Sequence, residues 1–332
     1  MLNLKTKFSF FIFFFIFFLF LPHFSLALTA MSPILEIEVK PGESQTGFLK
    51  LYNETAADLI LTSSLESFKA GDETGQPVFL LPEQKDKFLD WFTELPTEIL
   101  LRPQQVILVP FRIQVPANAT PGGYYAAIFW QTNSGQTKDG SGAGISGRIA
   151  TLVFLKVAGE LNESAQLVGF ETIPKNNYFF HFPLNFSVRV NNQGNIHLQP
   201  QGQIILSDWF SRKIALDINQ EKRFILPGSI RRFDVVWESG ANKNFWQNFL
   251  AELYLEFKNL PFGPYQAELS LNYGARHQTL TGSLNFWFIP WRLILAIVIL
   301  IIFLVTFWRI NRRVKELKNK LEKLVNEKNQ GN

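Results

Sequence analysis

The chain is 332 residues long, 47% apolar and 15% aromatic, with no cysteine and a formal net charge of +4. The missing cysteines exclude disulfides, thiol nucleophiles and Cys-ligated metals together. Residues 31–288 hold 21 Lys/Arg against 25 Asp/Glu, a net of −4, while residues 289–332 hold 9 against 3, a net of +6; the positive charge belongs to the C-terminal flank, which disfavours nucleic-acid binding by the central region.

Residues 1–30 have the order of a signal peptide. Lys5 and Lys7 precede an apolar run from Phe8 to Leu21, and small-residue cleavage sites follow at Ser25-Leu26-Ala27 and Leu28-Thr29-Ala30. Cleavage is expected after Ala27 or Ala30. The apolar core is shorter than the ~20 residues a comfortable span needs, and an uncleaved anchor is the alternative to a cleaved leader.

Residues 31–160 carry two-residue alternation, the mark of half-buried strands. Ile107, Val109, Phe111, Ile113 and Val115 share one face. A Pro121-Gly122-Gly123 turn leads into a strand from Tyr124 to Trp130, a glycine-rich loop follows, and Ile149–Val157 forms a last strand. Ala70–Leu95 departs from this pattern: Pro77 and Pro82 frame apolar residues, and Lys85–Phe92 is expected as a short helix presenting Phe88, Trp91 and Phe92.

Residues 161–286 repeat the theme. Leu184, Phe186, Val188 and Val190 alternate with polar residues; so do Leu253, Leu255 and Phe257, and Tyr265, Ala267, Leu269 and Leu271. Glu238–Ala251, with Phe245, Trp246 and Phe249, stands apart. A coarse repeat links the halves: Phe48–Asn53 matches Phe186–Asn191, and Leu101-Arg102-Pro103 matches Leu226-Pro227-Gly228. About 260 residues of alternating strands suit two tandem immunoglobulin-like β-sandwich domains, an all-β class.

Residues 287–308 are predicted to be a transmembrane helix, with Trp287, Trp291 and Trp308 at its edges as in an aromatic belt. The basic tail, 309–332, follows the positive-inside rule and is expected in the cytoplasm, which makes the chain a single-pass cell-membrane protein with its N-terminal part outside. Ile310, Val314, Leu317, Leu321 and Leu324 recur at heptad spacing over little more than two repeats. That pattern suits a homodimer through a short coiled coil, or a helix lying along the inner leaflet.

The order of leader, a first sandwich with Val39-Lys40-Pro41-Gly42 running into Leu49-Lys50-Leu51-Tyr52-Asn53, a second sandwich, one span and a short basic tail resembles the WxL-interacting proteins of Gram-positive bacteria. The motif match lies mainly in residues 33–130. In that family the first domain is associated with peptidoglycan and the second with surface or host partners. The resemblance therefore implies peptidoglycan or another surface component as partner of the first domain; it transfers neither a ligand residue nor a host-binding role for the second.

No catalytic constellation is expected. His181, His197 and His277 are scattered without metal-ligand spacing, and no motif implies a cofactor. Carboxylate pairs at Glu36/Glu38, Asp86/Asp90 and Glu94/Glu98 read as solvated faces, although a paired-carboxylate glycosidase is their sharper alternative. Binding is expected through aromatics: Trp91, Phe92, Trp130 and Trp246 are the candidates, with core capping as the competing role. The expected function is a non-enzymatic, membrane-anchored binding, adhesion or scaffold protein. The alternative from another class is an assembly chaperone that accepts a donated strand at an open sheet edge.

Overall fold

The structure is a computed structural model describing residues 28–80, 82–132, 147–237, 245–259 and 261–330. The chain forms two compact units, Met1–Lys69 with Val78–Glu160, and Ala70–Pro77 with Leu161–Asn332. Each contains an immunoglobulin-like sandwich, and the second continues into a long apolar helix. The first 27 residues of the expected leader and the loop containing Gly135, Gly140, Gly142 and Gly144 lie outside the described residues.

The first sandwich begins with β1 (Leu28–Ala30) and β2 (Ile34–Val39), then β3 (Ser44–Asn53), β4 (Leu59–Ala70) and β5 (Pro77–Phe79). A 3₁₀ turn at Lys87–Trp91 precedes β6 (Phe92–Thr93), β7 (Glu98–Leu101), β8 (Val106–Gln114), β9 (Gly122–Thr132) and β10 (Arg148–Val157). One sheet runs β1-β3-β8-β6; the other runs β2-β10-β9-β4-β5, with β7 also on β4. Alternation along β3 and β8 turns Leu49, Leu51, Val109, Phe111 and Ile113 inward, where they meet Ile128, Trp130, Val153 and Leu155 of the facing sheet.

Leu28–Ala30, included in the leader by the sequence reading, are a paired strand. They run antiparallel to Leu51–Asn53, and Leu28 and Ala30 pack on the core. The chain then crosses to the other sheet, where β2 lies parallel to β10 over Leu152–Val157.

The second sandwich contains β11 (Ala165–Ile173), β12 (Tyr178–Phe179), β13 (Leu184–Asn192), β14 (Gln201–Asp208), β15 (Lys213–Ile218) and β16 (Ile230–Trp237). Helix α1 (Phe245–Asn259) follows, then β17 (Gly263–Tyr273), β18 (Gln278–Phe288) and α2 (Trp291–Gln330). The sheets are β11-β13-β16 and β12-β18-β17-β14-β15. Phe186, Val188, Ile204, Leu206, Trp237, Leu269 and Phe286 fill the space between them. Gly202 of β14 is held close to its neighbour: a Cβ there would lie 2.0 Å from the Ser270 carbonyl oxygen. Ala70–Pro77, grouped with this unit, contributes Glu73, whose carboxylate pairs with Arg189 and whose carbonyl accepts the Arg232 N–H at 2.7 Å.

Two expected elements differ. Residues 253–258, read as a strand, belong to α1, because their short alternation is embedded in apolar positions 249, 250, 253 and 257, spaced by one, three and four. Trp287 and Phe288, read as the start of the span, complete β18 opposite Pro264 and Gly263, since exposed Trp287 and buried Phe288 extend the strand alternation. The helix starts only after Ile289 and Pro290, whose carbonyl accepts the first intrahelical bond, from Ile294 N–H at 3.0 Å.

Candidate functional site

The structure disperses the four predicted aromatics. Trp91 lies in the 3₁₀ turn, half-buried, with ring centroids 4.8 Å from Tyr124 and 6.0 Å from Phe88. Phe92 begins β6 and stacks on Phe111 at 6.0 Å. Both pack against the first core and keep one partly open side. Tyr124 donates its hydroxyl to the Thr120 carbonyl at 2.8 Å, and burial raises its phenol pKa.

Trp130 is fully buried inside the first sandwich and offers no surface to a ligand. Strand β9 explains this: Tyr125–Trp130 are buried on both sides of the strand, so alternation does not assign an outward face there. Trp246 lies on α1, which belongs to the other unit.

The carboxylate pairs are exposed, and several have surface cations beside them. Glu38 meets Lys156 at 3.1 Å, Asp90 meets Lys85 at 2.9 Å, and Glu94 meets Arg112 at 3.6 Å. His181 and His277 are exposed, and His197 packs edge-on against Phe224. Among the described residues no group of three His, Asp or Glu side chains is placed to hold a metal.

The second sandwich has a cleft of about 420 Å³ between the edge strands β15 and β16, lined by Asp217, Glu221, Arg223 and Asp234 above Phe233 and Val235. Its charges are paired locally: Arg223 Nε donates to Glu221 at 2.6 Å and Arg232 Nε to Asp234 at 3.2 Å. It is an open polar groove, and the sequence reading did not single it out.

The most distinctive surface belongs to α2. Its Trp291–Lys320 segment is long and apolar enough to cross a membrane, and none of its apolar window is buried by the described residues. From Trp291 to Trp308 the helix advances about 26 Å at ~1.5 Å per residue, close to the ~30 Å hydrocarbon core. The start of α2 is seated by α1. Glu256, fully buried, accepts the Leu293 N–H at 2.8 Å, one of the helix-start donors that has no partner within its own helix. Arg292 lies 2.6 Å from Glu252 and 3.4 Å from Glu256. Burial raises the Glu256 pKa, and the Leu293 N–H and Arg292 oppose that rise. Sequence alternation hid this junction because it placed Glu256 on a wet strand face.

No protein-family model matches the chain, and no curated protein matches it. Solved structures similar to it include the class 5 fimbriae chaperone CfaA, 10% identical, covering 77% of this chain and 98% of that one at a TM-score of 0.40. The E. coli chaperone DraB is 12% identical over 79% and 97% at 0.35. The Salmonella enterica SafA pilin in complex with the SafB chaperone is 10% identical over 80% and 98% at 0.35. The architecture of this chain stands on its own strand pairings.

Proposed function

We propose that this chain is a membrane-tethered, non-enzymatic binding and scaffold protein that displays two immunoglobulin-like sandwiches outside the cell. The observation that carries this reading is the uncovered apolar surface of α2, bracketed by Trp291 and Trp308 and followed by Arg309, Arg312, Arg313, Lys315, Lys318 and Lys320. An apolar surface of that length is costly in water, and the one-sided charge favours a cytoplasmic C-terminus. Because the chain has no cysteine, single substitutions report topology directly. On intact cells an impermeant maleimide should label Ala275→Cys and reach Lys318→Cys only after permeabilisation. Labelling of both on intact cells would overturn the single crossing.

The resemblance carried by residues 33–130 supports peptidoglycan as partner of the first sandwich, with the open sides of Trp91 and Phe92 available to stack on a sugar ring. Full-length protein in detergent should then pellet with purified sacculi, and Trp91→Ala should weaken pelleting. Absence of saturable pelleting removes that partner. A stripe of exposed Ile310, Val314 and Leu317 on α2 supports pairing through the tail, read by crosslinking in the membrane.

A second reading, strand acceptance, is favoured by β18. Among the described residues, Gln278–Phe286 have a strand partner on one side only, because β12 pairs with just Trp287 and Phe288. A peptide that adds to that edge would slow amide exchange along β18.

A further inference from the structure

Strand register identifies one end of the second sandwich as the end facing the span. Phe288, two residues before Pro290, pairs with Gly263, so β17 starts and β18 finishes there. Asp208, the last residue of β14, pairs with Tyr265, which brings the β14–β15 turn to the same end. Tyr178 pairs with Trp287 and brings β12 there as well. Helix α1 ends at Asn259, only a few residues before Gly263, and its carboxylates hold the first turn of α2.

Each of these elements exposes aromatic or apolar side chains. In the β14–β15 turn Trp209 is 72% exposed and Phe210 is 71% exposed. Trp287 and Tyr178 are exposed side by side across β18 and β12, and Phe262 is exposed just before β17. A domain surrounded by water gains by burying such groups, yet here a whole end of the domain leaves them in the open. The opposite end of the same sheet is built differently: the β17–β18 turn is Gly274-Ala275-Arg276-His277, and Ala275 N–H bonds to Glu163 at 2.8 Å.

Helix α1 has the same bias in a sharper form. Leu250, Tyr254 and Phe257, spaced four and three apart, form one face and are 62%, 63% and 66% exposed. The carboxylates lie on the other side: Glu256 is fully buried and Glu252 partly buried, both against Arg292. A helix on a water-facing surface places its charges outward and its apolar stripe inward. Here the arrangement is reversed, with acidic groups turned to the protein and rings turned away from it. That is the amphipathicity of a helix whose surroundings on the outer side are apolar.

We infer that α1 and the aromatic rim formed by the β14–β15 turn, Phe262 and Trp287 are embedded in the headgroup–acyl boundary of the leaflet from which α2 emerges, so that the second sandwich rests on the bilayer. The occupant is lipid, because the exposed surface is continuous with the apolar start of α2, where Trp291 meets Phe249 at 6.5 Å. Interfacial helices bury their apolar face about 5–10 Å into that boundary, and Trp and Tyr concentrate there because their rings are apolar with a polar tip. Lys213, which opens β15, and Lys258, beside Phe257, are exposed and suited to lipid phosphates. The inference rests on the reading of α2 as a membrane span.

The test uses full-length protein in nanodiscs of phosphatidylcholine and phosphatidylglycerol. Trp209→Cys, Leu250→Cys and Phe257→Cys each receive a fluorescent label; Ile299→Cys marks the span and Ala275→Cys the polar end. The first three labels should be quenched by nitroxides placed near the lipid headgroup and lose quenching by an aqueous nickel chelate. Ile299→Cys should respond to deep nitroxides and Ala275→Cys to nickel alone. If the labels at 209, 250 and 257 follow nickel while the label at 299 follows lipid, the span stands and the embedded rim is overturned. Shielding from nickel without lipid quenching would mean that protein covers the surface, which also overturns it. If the label at 299 follows nickel, the span reading fails and the inference falls with it.

Discussion

The two sandwiches follow one plan and finish it differently. In each, the first strand divides between the sheets: β1 pairs antiparallel with β3 and β2 parallel with β10, as β11 pairs antiparallel with β13 and β12 parallel with β18. Each has a fully buried asparagine at the same corner. Asn53 Nδ2 donates to the carbonyls of Ala57 and Leu101 at 2.8 and 3.0 Å, and its Oδ1 accepts Thr55 N–H at 2.9 Å. Asn192 Nδ2 donates to Ile196 and Ile225 at 2.8 and 2.9 Å, and its Oδ1 accepts Gly194 N–H at 2.9 Å.

The differences lie outside that shared frame. The first unit covers β10 with the full length of β2, whereas among the described residues of the second most of β18 has no strand partner on its outer side. The first joins β8 to β9 by a short turn; the second places α1 at the corresponding connection. A repeated core thus tolerates divergent edges and connections.

The largest expected effects test whether the cores are independent. Each contains a fully buried tryptophan on a different strand, Trp130 on β9 and Trp237 on β16, and among the described residues neither indole nitrogen has a hydrogen-bond partner. Trp130→Ala and Trp237→Ala should each cost about 3–5 kcal/mol by emptying a packed site. Denaturant unfolding should show each loss in one of two transitions; a shared loss would break the picture of separable cores. Replacement by Phe should cost far less, because no indole hydrogen bond is forfeited.

Next come the asparagine corners. Asn53→Ala and Asn192→Ala should each lose about 2–3 kcal/mol, since each strands buried carbonyls and an N–H. Equal losses sharpen the equivalence, and a negligible loss in one unit breaks it.

A smaller contrast concerns glycine. Gly202→Ala places a methyl group against the Ser270 backbone, and Gly47→Ala places one 2.3 Å from the Phe111 ring. Costs of about 2–3 and 1 kcal/mol are expected in thermal unfolding, because a ring can turn and a strand backbone cannot.

The smallest effects are on pH. A hydrogen bond from Arg189 lowers the Glu73 pKa, so its stabilisation is present above the unfolded carboxylate value and is lost as pH falls through the folded value. Burial raises the Glu256 pKa, so the folded state holds that proton more tightly, and acidification to the ordinary carboxylate range favours the folded junction. Amide exchange between pH 7 and pH 5 should leave α1 protected, while Arg232 N–H, bonded to the Glu73 carbonyl, loses protection first on further acidification.

Much of the fold was legible because period-two alternation is strong wherever one strand face is dry. It failed where two periods overlap. Leu253, Leu255 and Phe257 alternate over too few residues to exclude a helix, and Phe249 and Leu250 supplied the missing spacing. Trp287 and Phe288 run without a break into the apolar residues that follow, so composition assigned them to the span although the strand register retains them. The sequence repeat aligned Asn53 with Asn191; hydrogen bonding aligns it with Asn192, one position on. Trp130 misled because a central strand buried on both faces has no outward side. The aromatic rim was illegible because its parts are far apart in sequence and are gathered only by register.

The junction of β18 and α2 has a mechanical consequence. Only Ile289 and Pro290 separate the last strand from the helix, and β18 is bonded to β17 along its whole length. Tension applied between the second sandwich and α2 therefore enters the sandwich along a strand axis. The cross-strand bonds are loaded together in shear, as stitches along a seam, and no slack tether absorbs the pull first.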